Sequence, residues 1–125
     1  MKGSYYLAKR GEATPDGADF CVTICDDCMS PYIQAGDTVY VSCREPVNEM
    51  EAALFYLDGR VICRQWCEDY CGTLHLLCAN PAREARNISI PAAKRKSCLC
   101  LGKVLLKKQP PAPLYGGYNA CDSFS

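Results

Sequence analysis

CDDCMSPYIQAGDTVYV, residues 25–41, places Cys28 on a short turn, follows it with Met29-Ser30-Pro31, and then runs through Gly36-Asp37 into a strand. The order of these residues poses the central chemical question. A cysteine presented on a turn between strands is placed as a nucleophile or a metal ligand would be. Gly36 permits the tight backbone that lets the chain enter the following strand.

Outward from this stretch the pattern is strand-like. "FCVTIC" alternates Phe20, Val22 and Ile24 with Cys21, Thr23 and Cys25, a period of two. "DTVYVS" follows Gly36. "AALFYL" and "RVICRQWC" flank Asp58-Gly59, a pair preferred in two-residue hairpin turns. "TLHLLC" runs up to the breaker Asn80-Pro81, "NISI" precedes Pro91, and "CLCLGKVLLKK" is apolar at its centre. Only residues 28–35 and 47–52 have room for a helical turn. Short strands at close spacing predict a mostly β domain, a partly open barrel or sandwich.

The chain has 125 residues, enough for one domain with a core. The expected organisation is a flexible lead-in over 1–17, the β domain over 18–108 and an irregular Pro- and Gly-rich tail over 109–125. The formal net charge is zero, so no long-range field attracts nucleic acid or an anionic membrane. No apolar run is long enough to span a bilayer, and the N-terminus has no apolar signal core. The expectation is a cytoplasmic protein. Its eleven cysteines are an odd number, which argues against a full disulfide framework and for buried free thiols.

In this order the landmarks resemble the self-cleaving peptidase domain of LexA and phage repressors, which works with a Ser–Lys dyad. That family reads Gly-Asp-Ser-Met-x-Pro, then Gly-Asp, then a hairpin carrying the lysine, then Asn-Pro. Here the same places hold Asp26-Asp27-Cys28-Met29-Ser30-Pro31, Gly36-Asp37, the hairpin "YLDGRVICRQW" and Asn80-Pro81. The resemblance spans roughly residues 18–108 and implies the LexA-like β-fold. It puts Cys28 at the nucleophile's position and Arg64 at the base's, with Met29, Pro31, Gly36 and Asp37 as the scaffold of the motif.

The departures bear on chemistry. A neutral lysine takes the serine proton in such a dyad, and burial makes that possible. A guanidinium does not deprotonate in proteins, and no lysine lies between Lys9 and Lys94. A fixed positive charge favours a thiolate, but amide cleavage also needs a proton for the leaving nitrogen. Asp26 and Asp27 oppose ionisation of a neighbouring thiol. Asp26 also replaces a glycine, at a place where aspartate tolerates left-handed geometry. The family's small Ala-Gly cleavage dipeptide is absent from the lead-in, which offers Ala8-Lys9-Arg10-Gly11 and Gly17-Ala18. The resemblance therefore implies a degenerate peptidase domain of a bacterial or prophage transcriptional regulator, serving as an interaction or dimerisation module. The alternatives are an active cysteine variant that processes itself and a small zinc-binding or thiol-redox protein.

Other signals have plainer readings. Cys25-x-x-Cys28 has half-site zinc spacing, but Cys67-x-x-x-Cys71 and Cys98-x-Cys100 do not complete it regularly, so no metal or other cofactor is expected. His75 is the only histidine; it reads as a half-exposed strand residue rather than a base for Cys28. Leu54, Phe55, Tyr56 and Trp66 read as core. The basic run "AKRKSC" at 93–98 is too short to bind nucleic acid. Lys103, Lys107 and Lys108 read as guards of an edge strand. About seventeen residues precede the predicted domain, too few for a three-helix DNA-binding unit, so operator binding is not expected of this chain. The expected partner is a second copy or another protein, with no membrane or nucleic acid.

Overall fold

The computed structural model describes residues 5–6 and 17–113. The rest of the predicted lead-in and the tail from residue 114 onward lie outside the described residues. Eight strands form one antiparallel sheet: β1 (Tyr5–Tyr6), β2 (Phe20–Thr23), β3 (Thr38–Ser42), β4 (Ala52–Leu57), β5 (Arg60–Glu68), β6 (Leu74–Leu77), β7 (Ile88–Ile90) and β8 (Cys98–Leu105). The architecture is mostly β, as the strand pattern and the resemblance both predict. The order β1-β2-β3-β8-β4-β5-β6-β7 leaves the sheet open, with β1 and β7 at its edges. The stretch read as a lead-in thus contributes a strand, paired through Tyr5↔Val22 and Tyr6↔Cys21.

Local chemistry accounts for the hairpins. Asp58 and Gly59 both take left-handed conformations (φ 53° and 77°), as a two-residue turn needs to match strand twist. That turn sets the β4–β5 register, Leu57↔Arg60 through Ala52↔Gln65. Alternation along β4 then divides the core. Ala52 and Leu54 join Val22, Ile24, Met29, Ile33, Val41 and Val104 in one cluster. Ala53, Phe55 and Leu57 join Ile62, Leu74, Leu76 and Ile90 in another. Each buried aliphatic side chain contributes about 1.5–3 kcal/mol, so both faces of β4 are tied down. Phe55 stacks on Trp66 with centroids 6.3 Å apart, in keeping with a core role, whereas Tyr56 faces solvent at 42% exposure.

Residues 28–35 make one helical turn, the Met29 carbonyl accepting from the Tyr32 and Ile33 N–H groups at 3.0 Å each, and residues 48–51 make a tight turn closed by the Glu51 N–H on the Asn48 carbonyl. The sequence pattern missed the described helices, two 3₁₀ segments at Pro81–Arg86 and Ala92–Ser97. Asn80 caps the first of these by accepting from the Ala82 N–H, with Pro81 at the start, so a breaker in strand terms is a starter in helix terms. The lysines of the last strand guard no edge, because β8 lies between β3 and β4. Lys103 instead pairs with Glu51 at 3.2 Å and Glu45 at 3.7 Å. The start of the predicted irregular tail is docked: Gln109 accepts from the Ala52 N–H at 2.8 Å, and buried Gln65 donates to the Pro111 carbonyl at 3.0 Å.

β8 joins the two halves of the sheet at its bulge. Gly102 pairs with Leu54 and Cys100 with Phe55, leaving Leu101 as the extra residue. A Cβ on Gly102 would stand 2.5 Å from the Ser42 carbonyl oxygen and 2.7 Å from Val41 Cγ1, contacts that the backbone must move to relieve. Gly102→Ala is expected to destabilise the fold by about 1–3 kcal/mol, as overpacking does. Urea unfolding measures this, and an unchanged midpoint would mean that β3 and β8 are not so close.

Candidate functional site

The turn between β2 and β3 is closed at its neck. The Ile24 N–H donates to the Asp37 carbonyl at 2.8 Å, and the Gly36 N–H donates to the Ile24 carbonyl at 2.7 Å. Gly36 has φ 96°, a region that costs glycine nothing, and the Asp37 carboxylate accepts the Gln34 N–H at 2.8 Å. Inside the loop Met29 and Ile33 are buried (0% and 1% exposed) and anchor the turn in the first core cluster. Ser30-Pro31 is a cis peptide within this turn. The motif residues Met29, Pro31, Gly36 and Asp37 therefore build the loop that carries Cys28.

Cys28 points inward, with none of its surface exposed. Its N–H donates to Asp26 Oδ1 at 3.1 Å, while Asp26 Oδ2 stands 3.7 Å from Arg64 Nη1. Asp26 thus links the Cys28 backbone to the guanidinium. It does so without a left-handed backbone, since Met50 and Asp58 are the described non-glycine residues with positive φ. Arg64 lies on β5 and is 4% exposed. Its Nη1 donates to the Cys63 carbonyl at 2.8 Å, and its Nε has no hydrogen-bond partner.

Two further thiols converge here. Burial pushes the Cys63 thiol up to about 12, against the opposing pull of Arg64. Burial also pushes Cys78 up to about 12; Arg64 opposes this, while the charge of Cys28 and a hydrogen bond with it add to it. Sequence reasoning missed both cysteines. Cys63 was quoted beside Arg64 in the hairpin strand, and Cys78 stands two residues before the quoted Asn80-Pro81, but no local pattern brings them to Cys28.

Asn80-Pro81 has a direct role at the site. The Asn80 N–H donates to the Cys28 carbonyl at 2.9 Å, and Asn80 Nδ2 donates to the Asp27 carbonyl at 2.9 Å. Arg83 grips the Asp27 carboxylate with Nε at 2.8 Å and Nη2 at 2.9 Å. These Arg83 hydrogen bonds hold the Asp27 carboxyl below its ordinary value of 3.8. The Cys28 turn is therefore braced by the segment that follows β6.

The remaining candidates lie elsewhere. His75 has Nδ1 2.8 Å from Ser89 Oγ and Nε2 3.0 Å from Asp69 Oδ2, so both ring nitrogens are engaged away from Cys28. His75 in turn holds the Asp69 carboxyl below the usual carboxylate range. Among the described residues no three His, Cys, Asp or Glu side chains are grouped to hold a metal ion. Cys25, Cys43, Cys71 and Cys100 are exposed, whereas Cys21 and Cys67 are buried.

The buried cation leads to an asymmetric expectation. Removing its carboxylate leaves Arg64 unpaired, so Asp26→Ala is expected to cost about 1–3 kcal/mol once the partial exposure of Asp26 is allowed for. Arg64→Leu removes the cation and its desolvation cost together, and is expected to cost less or to stabilise. Chemical denaturation of both variants checks the order; the reverse ranking would contradict it. Asp27 gives a pH test. Its folded value lies below 3.8, so its stabilisation is complete above that pH and is lost as pH falls through the folded value. Thermal unfolding of Asp27→Asn is expected to be less acid-sensitive than wild type as pH falls below about 4.

A search of curated proteins returns no match. The family model described as Peptidase S24-like matches residues 2–105, which contain the whole described sheet and every residue of the Cys28 cluster. No helix among the described residues is long and apolar enough to cross a membrane. With the closed turn, the hairpin strand and the Asn-Pro brace all inside the matched span, the chain belongs to the Peptidase S24-like family.

Proposed function

We propose that this chain is a LexA/repressor-type peptidase-like domain whose cleavage chemistry is silenced, and that it acts as an interaction or dimerisation module of a bacterial or prophage transcriptional regulator in the cytoplasm. One observation carries the reading. The cation tied through Asp26 to the Cys28 turn is a buried guanidinium, 3.7 Å from that carboxylate. A guanidinium does not accept a proton from a nucleophile and is a poor acid toward a leaving amine.

The surroundings of Cys28 support the same reading. β5, which carries Arg64, contains no lysine, and Lys103 is occupied by Glu45 and Glu51. The histidine able to act as a base in other cysteine enzymes is bonded to Ser89 and Asp69. Cys28 has no exposed surface for a peptide to reach. A family fold that keeps its braced turn while losing a proton acceptor retains a rigid scaffold, which suits a module that binds other chains.

Purified protein incubated at about pH 9, where self-processing by an active dyad is favoured, is expected to remain intact. Intact-mass spectrometry alongside a Cys28→Ala control measures this. A fragment that forms in the wild type and not in the control would establish the active cysteine variant instead. Sedimentation velocity over a concentration series is expected to show self-association, and a monomer at all concentrations would remove the dimerisation half of the proposal.

A further inference from the structure

We propose that Cys28 and Cys78 form a reversible redox pair: a hydroperoxide oxidises Cys28, and Cys78 resolves it to an intrachain disulfide that locks the nucleophile turn to the end of β6. The proposal stands on the placement of the two thiols and not on the silenced-peptidase reading. An active Cys28 would be shut off by the same bond.

Cys28 lies on the turn after β2, and Cys78 directly follows β6. Both are fully buried (0% exposed), and the Cys28 thiol lies close enough to Cys78 to help hold the proton on it. Their segments are already joined. The Asn80 N–H holds the Cys28 carbonyl at 2.9 Å, Asn80 Nδ2 holds the Asp27 carbonyl at 2.9 Å, and Arg83 clamps the Asp27 carboxylate. A disulfide needs its two backbones side by side with the sulfurs in contact. Here the Asn80 hydrogen bonds already hold the chain two residues beyond Cys78 against the Cys28 backbone, before any sulfur–sulfur bond forms.

The local charges assign the roles. Burial above all, with the neighbouring Cys28 adding to it, keeps the proton on Cys78, which suits Cys78 to the resolving step rather than to the first attack on peroxide. The buried Arg64 guanidinium favours negative charge in this cluster. A pocket of about 50 Å³, lined by Thr23, Cys25, Asp26 and Cys63 among others, opens on the Asp26 and Cys63 side of this cluster and has room for a molecule the size of hydrogen peroxide.

The chemistry balances in two steps. The Cys28 sulfur attacks one oxygen of the hydroperoxide, forming an S–O bond and breaking the O–O bond. The alcohol, or water from hydrogen peroxide, leaves with the Cys28 proton. The Cys78 sulfur then attacks the sulfenic sulfur, forming the S–S bond and breaking the S–O bond. The hydroxyl leaves with the Cys78 proton as water. Two thiols give up two electrons and two protons, and the peroxide accepts them.

The test uses the reduced full chain treated with one equivalent of hydrogen peroxide, alkylated, and digested without reduction for fragment-resolved mass spectrometry. The expected product is a Cys28–Cys78 linked peptide, with two fewer thiols in a denatured thiol count and full reversal by dithiothreitol. Urea unfolding of the oxidised protein is expected to shift to higher denaturant. Cys78→Ala is expected to lose the link and to trap Cys28 as a dimedone-reactive sulfenic acid, whereas Cys43→Ala leaves the link unchanged. If Cys78→Ala does not fold, the wild-type peptide map alone decides. Oxidation confined to exposed Cys25, Cys43, Cys71 or Cys100, with Cys28 and Cys78 both alkylated after unfolding, would overturn the proposal. So would a link that forms only in unfolded protein.

Discussion

The two backbone hydrogen bonds between Ile24 and the Gly36-Asp37 pair are the constraint on which the rest is built. They turn the loop between β2 and β3 into a closed unit with a fixed neck. Once the neck is fixed, Met29 and Ile33 have a single place to go, the cluster formed by Val22, Val41, Leu54 and Val104. Burying those two side chains holds Cys28 inside rather than out. The backbone groups that such a loop leaves over are satisfied by side chains: Asp26 accepts from the Cys28 N–H, Asp37 accepts from the Gln34 N–H, and Asn80 donates to the Asp27 carbonyl. The cysteine's position thus follows from backbone closure, and its surroundings follow from what packs around the closed loop.

What packs there comes from distant parts of the chain. β5 brings Cys63 and Arg64, and the segment after β6 brings Cys78, Asn80 and Arg83. Arg64 sits where a cation is poorly solvated, with one carboxylate at 3.7 Å, one carbonyl and an unpartnered Nε. Such a charge costs free energy unless it is held. Asp26 does that holding, and the same carboxylate caps the Cys28 turn. The ion pair and the turn are therefore one structural unit, which is why an aspartate can occupy a place that the resemblance gives to glycine.

Much of this was legible in the sequence, where the signal was local. Asp58-Gly59 announced a two-residue hairpin because two left-handed residues in succession suit few other sequences. Gly36-Asp37 announced the return from the loop to a strand. Asn80-Pro81 announced a stop, although its second function as a helix cap and brace depends on Cys28 and Asp27, more than fifty residues away. The place of β8 was not legible. Its lysines look like those of an edge strand, yet Lys103 is drawn to Glu45 and Glu51, and the strand inserts between β3 and β4. The convergence of Cys63 and Cys78 on Cys28 was hidden for the same reason. Among many small apolar residues, nothing in the chain itself marks which cysteines meet.

The joining of Cys28 to the end of β6 also explains how the scaffold keeps its shape with an arginine at the place the resemblance gives to lysine. An active dyad holds its nucleophile through the hydrogen bond that performs the chemistry. Here the turn is held by contacts that leave the sulfur out: an Asn80 N–H on the Cys28 carbonyl, a guanidinium on Asp27, and a carboxylate shared between the Cys28 N–H and Arg64. Each is a backbone contact or an ion pair at the turn, and none requires the sulfur to be free. The turn can therefore stay ordered while the sulfur changes its chemistry. That separation of scaffold from sulfur means that the order of the turn and the chemistry at Cys28 are set by different groups.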